Sequence, residues 1–129
     1  MQEQIAAVTK FHEVYRIPYC KSPSTGVDQG LIALRHRLMA EENDEYLEAA
    51  QSGNLVEVAD ALGDMLYILC GTMITHGMQG KIEDVFREIQ RSNMSKLGDD
   101  GQPIYREDGK VLKGPRYFKP DIASILSGR

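Results

Sequence analysis

The fold of this chain is decided by residues 41–64, which read EENDEYLEAAQSGNLVEVADALGD. This stretch contains eight of the 19 acidic residues of the chain and neither lysine nor arginine. Opposite charges four residues apart stabilise an exposed helix, whereas like charges at that spacing weaken it. A stretch this acidic therefore needs a cation from elsewhere, and the periodicity around it indicates where its carboxylates point.

The residues before the stretch place two of the acids on an apolar helix face. Leu31, Leu34 and Leu38 follow one another at steps of three and four, which is the spacing of an amphipathic helix. Continuing the same steps reaches Glu42 and Glu45. The stripe that should enter the core therefore carries two carboxylates.

A second helix repeats the pattern after a short turn. Residues 52–53 are Ser-Gly, which suits a helix end, and Asn54 is a candidate N-cap for the helix that follows. Glu57, Asp60 and Asp64 then share one face at steps of three and four. The short turn predicts two antiparallel helices, so the acids of both can meet.

Carboxylates that point into a core cost several kcal/mol each when they remain unpaired ions, by the usual order of magnitude. Two i,i+3 pairs on facing helices can present four oxygen ligands at one point, and Mg²⁺ prefers such ligands. The alternatives are ordinary ones. Glu57 has the position of the glutamate in a capping box, and Glu41, Asp44 and Glu48 suit a solvated helix face. The pattern of two pairs favours a metal site.

Composition limits the class of protein. A chain of 129 residues suits one domain, and a net charge of −4 argues against nucleic-acid binding. No apolar run approaches the length of a membrane span, and the N-terminus lacks a signal-peptide pattern. Cys20 and Cys70 form no CxxC pair, so a zinc site is not expected. Two cysteines without a disulfide pattern fit a reduced protein, and we expect a cytoplasmic location.

The whole chain is predicted to be all-α, with an antiparallel four-helix bundle and a small C-terminal β-hairpin extension. Helical periodicity predicts four helices, at residues 2–16, 29–51, 54–76 and 81–97. An Asp-Gly turn at residues 108–109 between short β-prone runs predicts the hairpin. We expect a single domain over residues 1–129, with a helical core to about residue 97 and the hairpin and tail at 98–129.

The C-terminal part of the chain is basic. Residues 87–119 contain eight of the 15 lysines and arginines and five acids, a net charge of +3. A cationic wall opposite an acidic metal site is what a polyphosphate ligand requires, because the cations neutralise phosphate charge that the metal leaves. Most of these side chains can simply be solvated. Asn93 and Lys96, which close a helix together, are the two that we expect to bind substrate.

Other metal and phosphate motifs do not fit. No glutamate precedes a histidine by three residues, as di-iron bundles require, and no loop has the spaced acids of an EF-hand. The sequence contains no glycine-rich phosphate-binding loop.

The run Glu41-Glu42-x-x-Glu45 followed by Glu57-x-x-Asp60 resembles the signature of the all-α nucleoside triphosphate pyrophosphohydrolases. That superfamily includes MazG-like proteins, dimeric dUTPases and phosphoribosyl-ATP pyrophosphohydrolase. The resemblance covers about residues 1–97, and residues 92–96 (SNMSK) look like a MazG-like subgroup. The interval between Glu45 and Glu57 is at the short end of the usual spacing, which implies a tight helical hairpin.

The resemblance implies a hydrolase that converts a nucleoside triphosphate and water into the monophosphate and pyrophosphate, in nucleotide-pool housekeeping. It implies Mg²⁺, with Mn²⁺ as an option, and a homodimer or homotetramer in the cytoplasm. Glu41 is a candidate general base, or else an acid outside the metal's own ligands. Asn93 and Lys96 would contact phosphates. The resemblance implies four metal ligands: Glu42, Glu45, Glu57 and Asp60.

Two kinds of alternative stay open at this point. Within the same class, the enzyme could be a dUTPase or a phosphoribosyl-ATP pyrophosphohydrolase. In a different class, the chain would be a non-catalytic helical oligomer whose acids are neutralised by Arg35, Arg37 or a partner's lysines. That reading predicts salt bridges to those arginines and no cleft beside the acids.

Overall fold

The computed structural model describes residues 1–128, and within that range it contains five α-helices and no β-strand. The helices are α1 (Gln2–Val14), α2 (Gln29–Gln51), α3 (Leu55–Thr75), α4 (Ile82–Met94) and α5 (Ile122–Ser127). The all-α prediction is confirmed, and the first four helices end within about one turn of their predicted ends.

The chain divides into two compact units, Met1–Gly80 and Lys81–Arg129, the second described to residue 128. The first unit contains α1, α2 and α3, and the second contains α4 and α5. The four-helix bundle and the single domain stay predictions, because α4 belongs to the second unit.

The helical hairpin of α2 and α3 forms for the reasons that the sequence indicated. Asp28 caps α2 by accepting a hydrogen bond from the Leu31 amide, and Asn54 Oδ1 caps α3 by accepting one from the Glu57 amide at 3.1 Å. Between the helices, Gly53 takes a φ of +71°, which other residues adopt only with strain. The chain thus reverses within three residues.

The core of the first unit lies between α3 and its two neighbours, since α3 packs against both α1 and α2. Its buried apolar side chains are mostly small, which lets the helices approach closely. They are Ile5 and Val8 of α1, Ala49 of α2, and Ala61, Cys70 and Ile74 of α3.

The loop between α1 and α2 is tied by hydrogen bonds to the C-terminal end of α3. The Cys20 amide donates to the Ile74 carbonyl, and the Ser24 amide donates to the His76 carbonyl, both at 3.0 Å. The next residue, Gly77, has a φ of +70°, and a side chain there would collide with the Ser22 backbone. These contacts fix the start of α2 relative to the end of α3.

The predicted β-hairpin does not form in the second unit. One antiparallel bridge joins Tyr105 to Val111, and the Arg106 amide donates to the Lys110 carbonyl at 2.8 Å around the turn. The two flanking runs are three residues long and largely exposed, so no apolar face stabilises a ladder. The turn at Gly109 (φ +87°) is therefore correct and the strands are wrong.

A short helix, α5, replaces part of the irregular tail that the sequence suggested. Asp121 caps it by accepting a hydrogen bond from the Ser124 amide, and Gly128 ends it at a φ of +76°. Helix α4 contacts α5. The tail before α5 also holds to α4, since the guanidinium of Arg91 lies 4.3 Å from the centroid of the Phe118 ring.

Helix α3 is long and apolar enough to cross a membrane, by length and composition only. The expectation concerned uninterrupted apolar runs, and three acids interrupt residues 55–75. The same properties are found in core helices of bundles, and the acids Glu57, Asp60 and Asp64 lie in this helix.

Candidate metal centre

Three carboxylates from two helices converge on one point of the hairpin. Glu42 and Glu45 lie one turn apart on α2, and Asp64 lies on α3. Each can offer one oxygen such that the three oxygens lie within 4.8 Å of one another. The predicted inward face of α2 thus meets an acid of α3, although Asp64 was not among the four predicted ligands.

Glu42 is the least solvated member of this group. Its side chain is half-buried, and its Oε2 atom is buried without a hydrogen-bond partner among the described residues. Burial raises the pKa of the Glu42 carboxyl, and its hydrogen bond to Glu45 and the negative charges of Glu45 and Asp64 raise it further. A carboxyl in this position is stabilised by a proton or by a bound cation.

A pocket of about 310 Å³ opens next to this cluster. Glu45 is shared by the pocket and the cluster, and the buried methyl groups of Ala49 and Ala61 lie at the pocket wall. The pocket is lined by four acids: Glu45, Glu48, Glu57 and Asp60. The structure therefore brings the predicted residues Glu45, Glu57 and Asp60 to one pocket, and Glu42 and Glu45 to one cluster.

The reciprocal half of the capping box suggested at Glu57 does not form, because the Asn54 amide donates to the Ala49 carbonyl at 3.2 Å. The contact with Asn54 uses the backbone amide of Glu57. Its exposed side chain lines the pocket. The capping-box glutamate is therefore not found, and the role of Glu57 as a metal ligand stays a prediction.

Within residues 1–128, no ion pair joins any of these acids to a lysine or arginine. Lysines and arginines of the second unit do form ion pairs with acids, such as Arg91 with Glu88 at 2.9 Å. Arg35 is buried, and it donates to the Ile68 carbonyl and to the Thr72 hydroxyl instead of a carboxylate. Arg37 is exposed. The salt bridges and the closed surface that a purely structural role predicts are therefore not found in the described chain.

The remaining predicted residues lie outside the cluster. Glu41 is exposed on α2, next to Glu42. Asn93 is exposed near the end of α4, and Lys96 is half-buried just after it, where its carbonyl accepts a hydrogen bond from the Gly114 amide. Both belong to the second unit, so their role towards the acids of the first unit stays a prediction.

Asp64 is the member of the cluster that sequence reasoning left out. The sequence pattern puts it on one face with Glu57 and Asp60, but the ligand set comes from the resemblance. A usable signal was the antiparallel register, because residues equally far from the turn at 52–54 face each other. Counting from that turn places Glu42 opposite Asp64.

The donor set suits a hard divalent cation. All the converging groups are carboxylates, with no sulfur or imidazole among them, and such oxygen donors select Mg²⁺ or Mn²⁺. The orphaned Oε2 of Glu42 is an acceptor that such an ion would satisfy. The residues present therefore fit the metal that the superfamily resemblance implies.

Comparisons with known proteins point to one enzyme family. A sequence model of the phosphoribosyl-ATP pyrophosphohydrolase family matches residues 8–93. Among solved structures, the chain is similar to a proposed NTP pyrophosphohydrolase from Exiguobacterium sp. 255-15, with 26% identity and a TM-score of 0.50. That match covers 97% of this chain and 94% of the other. No curated protein gives a significant match.

Proposed function

Because the chain belongs to the phosphoribosyl-ATP pyrophosphohydrolase family, we propose that it is a Mg²⁺-dependent nucleoside triphosphate pyrophosphohydrolase. In this reaction the oxygen of water bonds to the α-phosphorus, and the bond from that phosphorus to the bridging oxygen of the β-phosphate breaks. The products are a nucleoside monophosphate and pyrophosphate. The similarity to a proposed NTP pyrophosphohydrolase over nearly the whole chain supports the same general activity.

One observation carries the proposal: carboxylate oxygens of Glu42, Glu45 and Asp64 lie within 4.8 Å of one another without a neutralising side chain in the described residues. Three acids this close repel one another, and the repulsion is large where water is partly excluded. A structural cluster would be expected to include an arginine or lysine. A cation-binding cluster needs none.

Glu42, Glu45 and Asp64 would hold the ion, and Glu57 and Asp60 would complete or extend the set through the shared residue Glu45. Such an ion, when bound, polarises a phosphoryl oxygen and lowers the pKa of a bound water. The carboxylates of the pocket would orient the water for attack by accepting its hydrogen bonds. Glu41 is the proposed base that takes the proton of the water, and Asn93 and Lys96 are the proposed contacts of the phosphates.

The test of this function is pyrophosphate release. Wild type is expected to release pyrophosphate from at least one nucleoside triphosphate when Mg²⁺ or Mn²⁺ is present, and to release none with a chelator. Glu45→Gln should lower kcat/KM by about a hundredfold or more, since it removes the acid that the cluster and the pocket share.

The matched control is Asp44→Asn, which removes an exposed acid next to Glu45 that lies outside the cluster and the pocket. It should keep the wild-type rate. Absence of release from every triphosphate, with folded protein, would contradict the proposal and favour the non-catalytic helical oligomer.

The substrate panel should separate the members of the class. It should contain the standard ribo- and deoxyribonucleoside triphosphates, dUTP, oxidised and deaminated derivatives, and phosphoribosyl-ATP. A clear preference for dUTP would make the protein a dUTPase, and one for phosphoribosyl-ATP would assign it the reaction in the family's description. A broad profile would favour nucleotide-pool housekeeping.

We also propose that the active form contains two or more copies that meet along α3. One side of this helix carries apolar residues at steps of three and four, which is the spacing of a helix–helix seam. Several of them are strongly exposed: Leu55 (80%), Leu62 (49%), Leu66 (44%) and Leu69 (43%). A contiguous apolar stripe of this kind is typical of an interface, and a second α3 would match its spacing.

A further inference from the structure

A buried arginine joins the two helices of the hairpin about two turns away from the acidic cluster along α2. Arg35 of α2 is 5% exposed, and no carboxylate among residues 1–128 pairs with it. Its Nη2 donates to the Ile68 carbonyl at 2.8 Å, and its Nε donates to Thr72 Oγ1 at 3.2 Å. Buried, unpaired guanidinium groups are rare because they are costly to desolvate, so this one requires an explanation.

The sequence of α3 leaves room for this side chain. A Cβ at Gly71 would collide with Nη2 of Arg35, and it would lie 3.0 Å from Nε2 of His12. The Thr72 hydroxyl is itself held, since it donates to the Ile68 carbonyl at 2.9 Å. Residues 68, 71 and 72 thus form the binding site of the guanidinium. We call this contact between Arg35 and α3 the Arg35 clasp.

The clasp lies on the same helix faces as the acids. Arg35 precedes Glu42 by two turns, about 10 Å along α2, and seven residues return to nearly the same side of a helix. Ile68 follows Asp64 by about one turn, so it lies on the Asp64 side of α3. The Arg35 clasp and the Glu42–Asp64 pair are therefore successive contacts between the same two helices, α2 and α3.

We propose that Arg35 is a positioning residue that fixes the axial register of α2 against α3, and with it the separation of the metal-binding carboxylates. This inference rests on the proposed metal site. Apolar contacts between helices are non-directional and tolerate small sliding. Hydrogen bonds to one carbonyl and one hydroxyl are directional. A slip of one residue moves a helix by about 1.5 Å, far more than a metal site tolerates.

The test is a titration of metal-free protein with Mn²⁺ alone. Binding is measured from the electron paramagnetic resonance signal of the Mn²⁺ that stays free. Arg35→Met replaces the guanidinium by an apolar side chain of similar length. We expect the Kd for Mn²⁺ to rise about tenfold or more. The thermal stability of the metal-free variant should stay equal to that of wild type or increase, because a buried unpaired charge is removed.

A merely structural arginine would give the opposite combination, in which the variant loses stability and the folded fraction binds Mn²⁺ normally. The matched control is Arg37→Met, two residues away and exposed on the same helix, which should leave the Kd unchanged. A wild-type Kd in folded Arg35→Met would overturn the proposal.

A second pair of variants decides the matter if Arg35→Met does not fold. Thr72→Val removes the hydroxyl that Arg35 binds and keeps the shape, whereas Thr72→Ser keeps the hydroxyl. We expect Thr72→Val to weaken Mn²⁺ binding several-fold and Thr72→Ser to bind like wild type. Equal affinities of the two would overturn the proposal. Failure of wild type to bind Mn²⁺ would instead remove the metal site itself, and the inference with it.

Discussion

At the scale of single residues, the first unit contains two titratable side chains whose burial favours the neutral form. Glu42 is such a group near the turn, and His12 is another at the far end of the unit. His12 is 2% exposed, and its Nδ1 has no hydrogen-bond partner among the described residues. Burial lowers the pKa of His12, and the charge of Arg35 lowers it further, while the Pro18 carbonyl opposes both.

This lowered pKa predicts an acid-sensitive fold. Below the ordinary histidine pKa of 6.5 the unfolded chain binds a proton that the folded chain resists, so the free energy of unfolding should fall as the pH drops through that value. The contribution of His12 to this slope is at most about 1.4 kcal/mol per pH unit, because one proton is involved. Urea denaturation between pH 7.5 and 5.5 measures it.

His12→Gln should flatten the slope, even if it lowers stability at every pH. His36→Gln is the matched control, because His36 is exposed on α2 in the folded state, and it should keep the wild-type slope. A slope in His12→Gln equal to that of wild type would contradict the prediction.

The residues also show what a sequence can reveal about a site. Leucine spacing alone placed Glu42 and Glu45 on one face of α2, because helical periodicity is local, but only Glu42 is half-buried there and Glu45 is exposed. Asp64 and the Arg35 clasp depend on which residues of two helices face each other. That register is set by the length of the turn and by contacts such as Arg35 with Ile68, which no single-helix pattern contains.

Among the elements, the helical hairpin of α2 and α3 is predicted best from the sequence, and the C-terminal tail is predicted least well. Asp28 caps the start of α2, Gly53 with its positive φ follows the end of α2, and Asn54 caps the start of α3. Tail elements have little to pack against. The Asp-Gly turn forms there without its strands, and α5 forms from a cap at Asp121 and a terminal glycine, signals that were present but brief.

The cap of α3 offers a test at this scale. Asn54→Ala removes the acceptor for the Glu57 amide and should lower the free energy of unfolding by about 1 kcal/mol. Asn54→Ser keeps an oxygen that can cap and should lose less than half of that. Asn43→Ala, at an exposed position inside α2, is the control and should have little effect. Equal stabilities of Asn54→Ala and wild type in urea denaturation would show that the cap contributes nothing.

At the scale of the whole molecule, the exposed stripe of α3 is the feature that an isolated chain does not explain. The proposed pairing along Leu55, Leu62, Leu66 and Leu69 predicts that wild type sediments as a dimer or larger species at micromolar concentration. Leu66→Glu should shift it to monomer, because a charge in an apolar seam is poorly solvated.

Val14→Glu, at an apolar position of α1 that is 62% exposed, is the matched control and should sediment like wild type. A monomeric wild type at these concentrations would contradict the pairing along α3. An equal loss of assembly in both variants would show that the stripe is not the interface.

The three-residue connection between α2 and α3 also has a kinetic consequence. Every acid of the candidate site lies between residues 41 and 64, so the contacts that build it are close in sequence and the loop to be closed is very short. Contacts that are this close in sequence form quickly, and N-terminal segments can fold during synthesis. We expect the acids to meet early, when the hairpin docks, and their mutual repulsion to slow that step. A divalent cation in the surrounding solution would then accelerate folding of the nascent chain.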